Sequence, residues 1–102
     1  MSTRLDAALH APARLQIAAM LARVEDAEFA VIRDVVDVSD SVLSKHLSAL
    51  KEAGYVDLRK AAQDGRQRTW VSLTRAGRRA FAGHMAALQD LVASAQAAIS
   101  AV

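Results

Sequence analysis

The chain has 102 residues, enough for one domain with a modest core, and 53% of them are apolar, with alanine prominent and aromatics only 4%. It has no cysteine, which excludes disulfides, thiolate catalysis and thiolate metal sites. The net charge of +2 is small but uneven: residues 1–58 are acid-rich, whereas between residues 59 and 79 Arg59, Lys60, Arg66, Arg68, Arg75, Arg78 and Arg79 meet only Asp64.

At the N-terminus Ser2 or Thr3 can cap a short turn carrying Leu5 and Leu9. Pro12 suits the first turn of a helix, and Ala13 to Arg23 continues it. Its expected apolar face is Leu15, Ala18, Ala19 and Ala22, widened by Ile17 and Leu21. Asp26 is a candidate cap for a second helix from Ala27 to Val36, with Phe29, Ile32, Val36 and Val35 as its stripe. Asp34 and Asp37 lie at its C-terminal end, where acids oppose the helix dipole, and mark its stop. Ser39 is a strong N-cap for a third helix, Asp40 to Ala53, in which Leu43, Leu47 and Leu50 fall on one face. Gly54 follows at the usual place for a left-handed helix end.

Beyond Gly54 the period becomes two. Val56 and Leu58 alternate with Asp57 and Arg59, Ala61 to Gln67 interrupts with the turn pair Asp64-Gly65, and Val71 and Leu73 alternate with Trp70 and Ser72. This is the pattern of an antiparallel hairpin with a polar, basic loop. Trp70, of opposite parity to Val71 and Leu73, is expected on the outer face of the hairpin or against a partner subunit. Thr74 can cap a last helix spanning residues 75–99, about 36 Å long, with Ala80, His84, Leu88, Leu91, Ala95 and Ile99 along one stripe and Phe81, Met85 and Val92 broadening it. That length exceeds what so small a core requires, and a second copy of the chain is the natural cover.

Two helices joined through Asp37-Val38-Ser39, followed by a basic hairpin, form a helix-turn-helix arrangement, which sets the start of its second helix into the major groove of DNA. With the leucines inward, Ser41, Lys45 and Ser48 point out, and Val42 and Ser44 lie on the flanks. The serines can donate to phosphates or base edges, Lys45 can reach guanine or phosphate, and Val42 can touch a thymine methyl. Helix capping and plain solvation remain the alternatives for Ser41, Ser44 and Lys45. Arg66, at the tip beside Gly65, is the foremost hairpin cation, with a merely exposed loop arginine as the alternative, and Arg68 has Asp57 or Asp64 as possible partners. This helix is electrically neutral, with Lys45 and Lys51 against Asp40 and Glu52, so phosphate affinity falls to residues 59–79.

The run Leu43-Ser44-Lys45-His46-Leu47-Ser48-Ala49-Leu50-Lys51-Glu52-Ala53-Gly54-Tyr55-Val56, with Gly65-Arg66-Gln67-Arg68-Thr69-Trp70-Val71-Ser72-Leu73-Thr74-Arg75-Ala76-Gly77 after it, resembles winged-helix regulators of the MarR/ArsR type. The nearest likeness is to the small stand-alone winged helix DNA-binding domain group, and Leu9 to Leu15 fits its opening helix. The implied fold is mainly α with a small β-hairpin, a winged helix-turn-helix occupying residues 1–102 as a single domain. The resemblance implies a homodimeric transcriptional regulator that binds double-stranded DNA. Ser39, Ser41, Val42, Ser44, Lys45 and Ser48 would lie in or beside the major groove. The wing, residues 59–69 with Arg59, Lys60, Arg66 and Arg68, would lie on the backbone or minor groove. The terminal helices would form the dimer through Leu5, Leu9, Phe81, His84, Met85, Leu88, Leu91, Val92 and Ala95.

Enzymatic activity is not expected. There is no glycine-rich phosphate loop, and no histidine has an acid and a nucleophile at motif spacing. His10, His46 and His84 are dispersed, so no metal or other cofactor is expected, and no effector is specified. His46, at the border of the leucine stripe, reads as a packed or capping histidine rather than a phosphate contact, and His84 as an interface or core residue rather than a metal ligand. No apolar run reaches the ~18 residues of a membrane span, and a cytoplasmic protein with no membrane partner is expected. The alternative is a winged-helix protein–protein interaction module that does not bind DNA.

Overall fold

The computed structural model describes residues 4–101; the expected cap at Ser2 or Thr3 lies outside them. The elements run α1 (Pro12–Leu21), β1 (Ala27–Glu28), α2 (Phe29–Val36), α3 (Asp40–Glu52), β2 (Val56–Gln63), β3 (Arg66–Leu73) and α4 (Arg75–Ser100). The three strands form one antiparallel sheet in the order β1-β3-β2. The fold is mainly helical with a small sheet, a winged helix-turn-helix.

Three helix boundaries follow from local chemistry. Asp37 takes the left-handed conformation (φ 60°) and ends α2. Ser39 caps α3, its hydroxyl accepting from the Val42 amide at 3.2 Å. Gly54 (φ 82°) closes α3: its amide donates to the Lys51 carbonyl and the Tyr55 amide to the Leu50 carbonyl, both at 2.9 Å. This paired pattern satisfies carbonyls that a helix end otherwise leaves open.

The core lies where the helices meet the sheet. Leu43, Leu47 and Leu50 of α3 are buried as their spacing predicts, with Ile17, Ala18 and Leu21 of α1, Ile32 of α2, and Val56, Val71 and Leu73 of the hairpin. On α1 the buried face is centred on Ile17 and Leu21, while Ala19 is exposed; the larger side chains take the core because they remove more apolar surface from water. Val35, expected in the stripe of α2, is 65% exposed.

Several expectations require correction. Ala27 and Glu28 are not the first turn of α2 but the strand β1, paired with Val71 and Trp70. Asp26 therefore caps no helix; its carboxylate pairs with Arg59 at 3.2 Å. The hairpin has no long loop. Its ladder is unbroken from Val56↔Leu73 to Gln63↔Arg66, and only Asp64 (φ 55°) and Gly65 (φ 76°) make the turn. Positive φ at both positions matches the right-handed twist of the strands, which is why Asp-Gly supports so tight a connection. Leu9 is fully buried in the core of the protomer, so it offers no surface to a second copy.

The N-terminal segment is tied down through Asp6. Its carboxylate accepts from the Ala8 amide at 2.9 Å and from the Tyr55 hydroxyl at 2.5 Å. Its amide donates to His84 Nδ1 at 2.8 Å. Donation to Asp6, with burial adding to it, raises the Tyr55 phenol above its usual pKa. His84 is 1% exposed, with the His10 ring edge-on at 5.8 Å, so its place is inside the protomer rather than at a subunit surface.

Candidate nucleic-acid interface

Helix α3 packs beside the hairpin. Because Leu43, Leu47 and Leu50 are anchored, Ser41, Val42, Ser44, Lys45 and Ser48 are exposed on α3, with Val42 at 39%. Ser39, already engaged as the cap, lies 3.2 Å from the Ser41 hydroxyl. Arg33 of α2 reaches Asp34 and Asp40, each at 3.0 Å. These two carboxylates hold the Arg33 guanidinium still more firmly protonated, the Asp40 hydrogen bond first, and leave the start of α3 without a free acid at Asp40.

His46 packs as expected, and its partner is Arg14 of α1, whose Nε donates to His46 Nδ1 at 3.1 Å. Accepting at Nδ1 requires the neutral ring. Burial, then the nearby Arg14 charge, lowers the His46 pKa below 6.5. The contact pins α3 to α1, behind the exposed serines.

The hairpin sorts its cations onto two faces. Cross-strand partners share a face, so Val56, Leu58 and Lys60 stand with Leu73, Val71 and Thr69, while Arg59 and Ala61 stand with Trp70 and Arg68. The first face looks toward α3. There Lys60 and Thr69 line a groove of about 230 Å³ with Ser44 and Ser48 of α3, over a floor of Phe29, Leu47 and Leu58. The second face is tied to β1: Arg68 Nη1 binds both Glu28 carboxylate oxygens, at 3.0 and 3.1 Å, and Arg59 binds Asp26. Arg68 thus turns to neither Asp57 nor Asp64, because β1, invisible as a strand in the sequence, brings Glu28 beside it. Trp70 lies on this outer face, partly buried.

The basic run of residues 59–79 is therefore divided. Arg78 caps the end of α1, donating to the Ala22 and Val24 carbonyls at 3.2 and 3.0 Å. Lys60, Arg66, Arg75 and Arg79 make no side-chain hydrogen bond among the described residues, and Arg66 is exposed beside the turn. Thr69 and Phe29 escaped the sequence reading as site residues. Counting outward from Asp64-Gly65 as a two-residue turn pairs Lys60 with Thr69 and would have found the first; the place of Phe29 depends on how α2 meets the sheet.

Helix α4 is about 39 Å long. Phe81, Met85 and Leu88 are partly buried against their own protomer, but every residue from Gln89 to Ala101 is exposed, including Leu91 at 57%, Val92 at 52% and Ile99 at 73%. Ala95 lies on this stretch, and Leu5, at the other end of the chain, is 40% exposed. No helix among the described residues is long and apolar enough to cross a membrane.

Comparison with known proteins agrees with this architecture. The family model described as "Winged helix DNA-binding domain" matches residues 13–92. The uncharacterized protein MJ0432 of Methanocaldococcus jannaschii is 33% identical over 72 residues, covering 71% of this chain and 78% of that protein. The structure of a transcriptional regulator homologue from Pyrococcus horikoshii superposes with a TM-score of 0.80 at 29% identity, covering 85% of this chain and 86% of the other. NolR from Sinorhizobium fredii does so with a TM-score of 0.63 at 28% identity, covering 76% and 73%. The family is one of DNA-binding domains rather than enzymes. With α3 beside a hairpin wing and a family match over most of its length, the chain belongs to the winged helix DNA-binding domains.

Proposed function

We propose that this chain is a sequence-specific regulator of transcription that binds double-stranded DNA as a homodimer. Helix α3 enters the major groove, where Ser41, Val42, Ser44, Lys45 and Ser48 meet phosphates and base edges and Ser39 holds the helix start. The wing lies against the adjacent backbone or minor groove, with Arg66 at its tip. The observation that carries this reading is the exposed hydroxyl- and lysine-bearing face of α3 placed beside a basic hairpin. Homodimerisation rests on α4. A helix of this length with its last three turns in water gains little from propensity alone, and a second α4 laid along Leu88, Leu91, Val92 and Ala95 would bury that stripe.

The test is selection of bound fragments from genomic DNA, followed by affinity measurements over a range of salt. The expected result is a two-fold symmetric site with half-sites about one helical turn apart, and a log affinity that falls linearly with log salt. Reversing the charge of Arg66 should weaken binding to every sequence; loss confined to one site would contradict the assigned role. The second reading, a winged helix that binds protein rather than DNA, is favoured by the neutrality of α3 and by the engagement of Arg33 with Asp34 and Asp40. It prevails if no DNA fragment binds at low salt.

A further inference from the structure

We propose that the groove between α3 and the wing is a seat for one backbone phosphate and its sugar, and that the two faces of the hairpin have separate duties. The inner face, through Lys60 and Thr69, binds that phosphate; on the outer face Arg68 clamps the wing to β1 and Arg59 pairs with Asp26, which leaves Arg66 at the tip as the outer-face cation open to DNA. The proposal rests on the DNA-binding reading above and refines it.

The groove has the chemistry of a deoxyribose phosphate. Its rim carries one cation, Lys60, and three hydroxyls, Ser44, Ser48 and Thr69, contributed by both elements that would flank a DNA strand. A lysine ammonium supplies the charge as a compact donor, and hydroxyls supply the short hydrogen bonds to phosphate oxygens on which register depends. Phe29, Leu47 and Leu58 form an apolar floor against which a sugar ring can rest. A volume of about 230 Å³ admits that unit. Among the described residues no carboxylate lines the groove.

The outer face has the opposite character. Asp26 and Glu28 stand against its arginines, and the Glu28–Arg68 pair is the better shielded, with side-chain exposures of 19% and 32%. A phosphate approaching Arg68 would meet the Glu28 carboxylate and would have to break a two-oxygen contact to gain one of its own. Two of the hairpin's three arginines thus face carboxylates beside the sheet, and the lone lysine on the inner face carries the phosphate.

The test measures affinity of the full chain for a mixed-sequence duplex of about 30 base pairs, over a salt series, for the wild type and four variants. Lys60→Gln should weaken binding roughly tenfold at low salt and reduce the slope of log affinity against log salt by about one. Thr69→Val should weaken binding a few-fold with the slope unchanged, because an uncharged donor releases no counterion. Arg59→Met and Arg68→Met should leave the slope unchanged, with Arg68→Met lowering the thermal midpoint. Arg59 serves as the second outer-face variant because its exposed pair with Asp26 contributes little to folding. The proposal is overturned if Lys60→Gln leaves the slope intact, or if either arginine variant reduces it by about one. If the wild type binds no duplex at any salt, the DNA-binding reading itself fails.

Discussion

Gly77 sits where helix α4 begins, and replacing it with alanine should be among the most damaging single-methyl changes in the protein. A Cβ at that position would stand 2.1 Å from the Tyr55 carbonyl oxygen, 2.9 Å from its carbon and 3.0 Å from its Cα. The obstacle is backbone, so no rotamer change relieves it. Tyr55 is held by the hydrogen bond its amide donates to the Leu50 carbonyl and by the one its own carbonyl accepts from the Thr74 amide, both at 2.9 Å; the Thr74 hydroxyl donates to the Gly54 carbonyl at 2.6 Å. Relief requires α4 to retreat by about 1 Å, which loosens the Thr74 contacts and the Tyr55–Asp6 bond. Overpacking costs about 1–3 kcal/mol and one weakened buried hydrogen bond about 1, while alanine returns about 1 in helix propensity. The net is about 1–3 kcal/mol, a fall in thermal midpoint of roughly 5–20 °C. The assay is thermal and urea unfolding followed by circular dichroism, with Gly83→Ala as the internal control. Gly83 lies on the same helix with nothing within 4 Å of its would-be Cβ, so that substitution should gain about 0.5–1 kcal/mol. A Gly77→Ala protein as stable as wild type would refute the close approach of α4 to Tyr55.

Other consequences follow from the same contacts. Ser39→Ala removes the hydroxyl that receives the Val42 amide and should cost about 1 kcal/mol in unfolding experiments, whereas Ser39→Asp should retain the cap. His46 is held neutral by burial and by Arg14, with its pKa below the ordinary 6.5. The unfolded chain therefore takes up a proton that the folded one refuses, and stability falls as pH drops through 6.5 toward the folded value. The thermal midpoint should decline over that range, and His46→Gln should flatten the decline. Leu91→Glu, at a position 57% exposed in the protomer, should leave the thermal midpoint of the monomer almost unchanged but shift sedimentation from dimer to monomer if α4 pairs with a second copy. Unchanged sedimentation as a dimer would place the subunit contact elsewhere.

Much of this protein is written in short-range chemistry. Leucine spacing in α3, serine and threonine caps at Ser39 and Thr74, left-handed Gly54 and the Asp64-Gly65 turn each act within a few residues, so periodicity and capping rules suffice to read them. Hence the helix-turn-helix, the wing and the exposed serine face of α3 were all legible. What stayed hidden depends on contacts between distant segments. Two residues of β1 carry no period of their own, yet pairing with Val71 and Trp70 makes them a strand. That strand brings Glu28 to Arg68 and Asp26 to Arg59, and so divides a basic run that looks continuous in the chain. Leu9 and His84 look like surplus apolar surface until the N-terminal segment folds over α4 and buries them. Local propensity names the elements because it is set by neighbours in the chain; which charges remain free for DNA is set by Coulomb and packing contacts between residues tens of positions apart, and only the tertiary structure decides those.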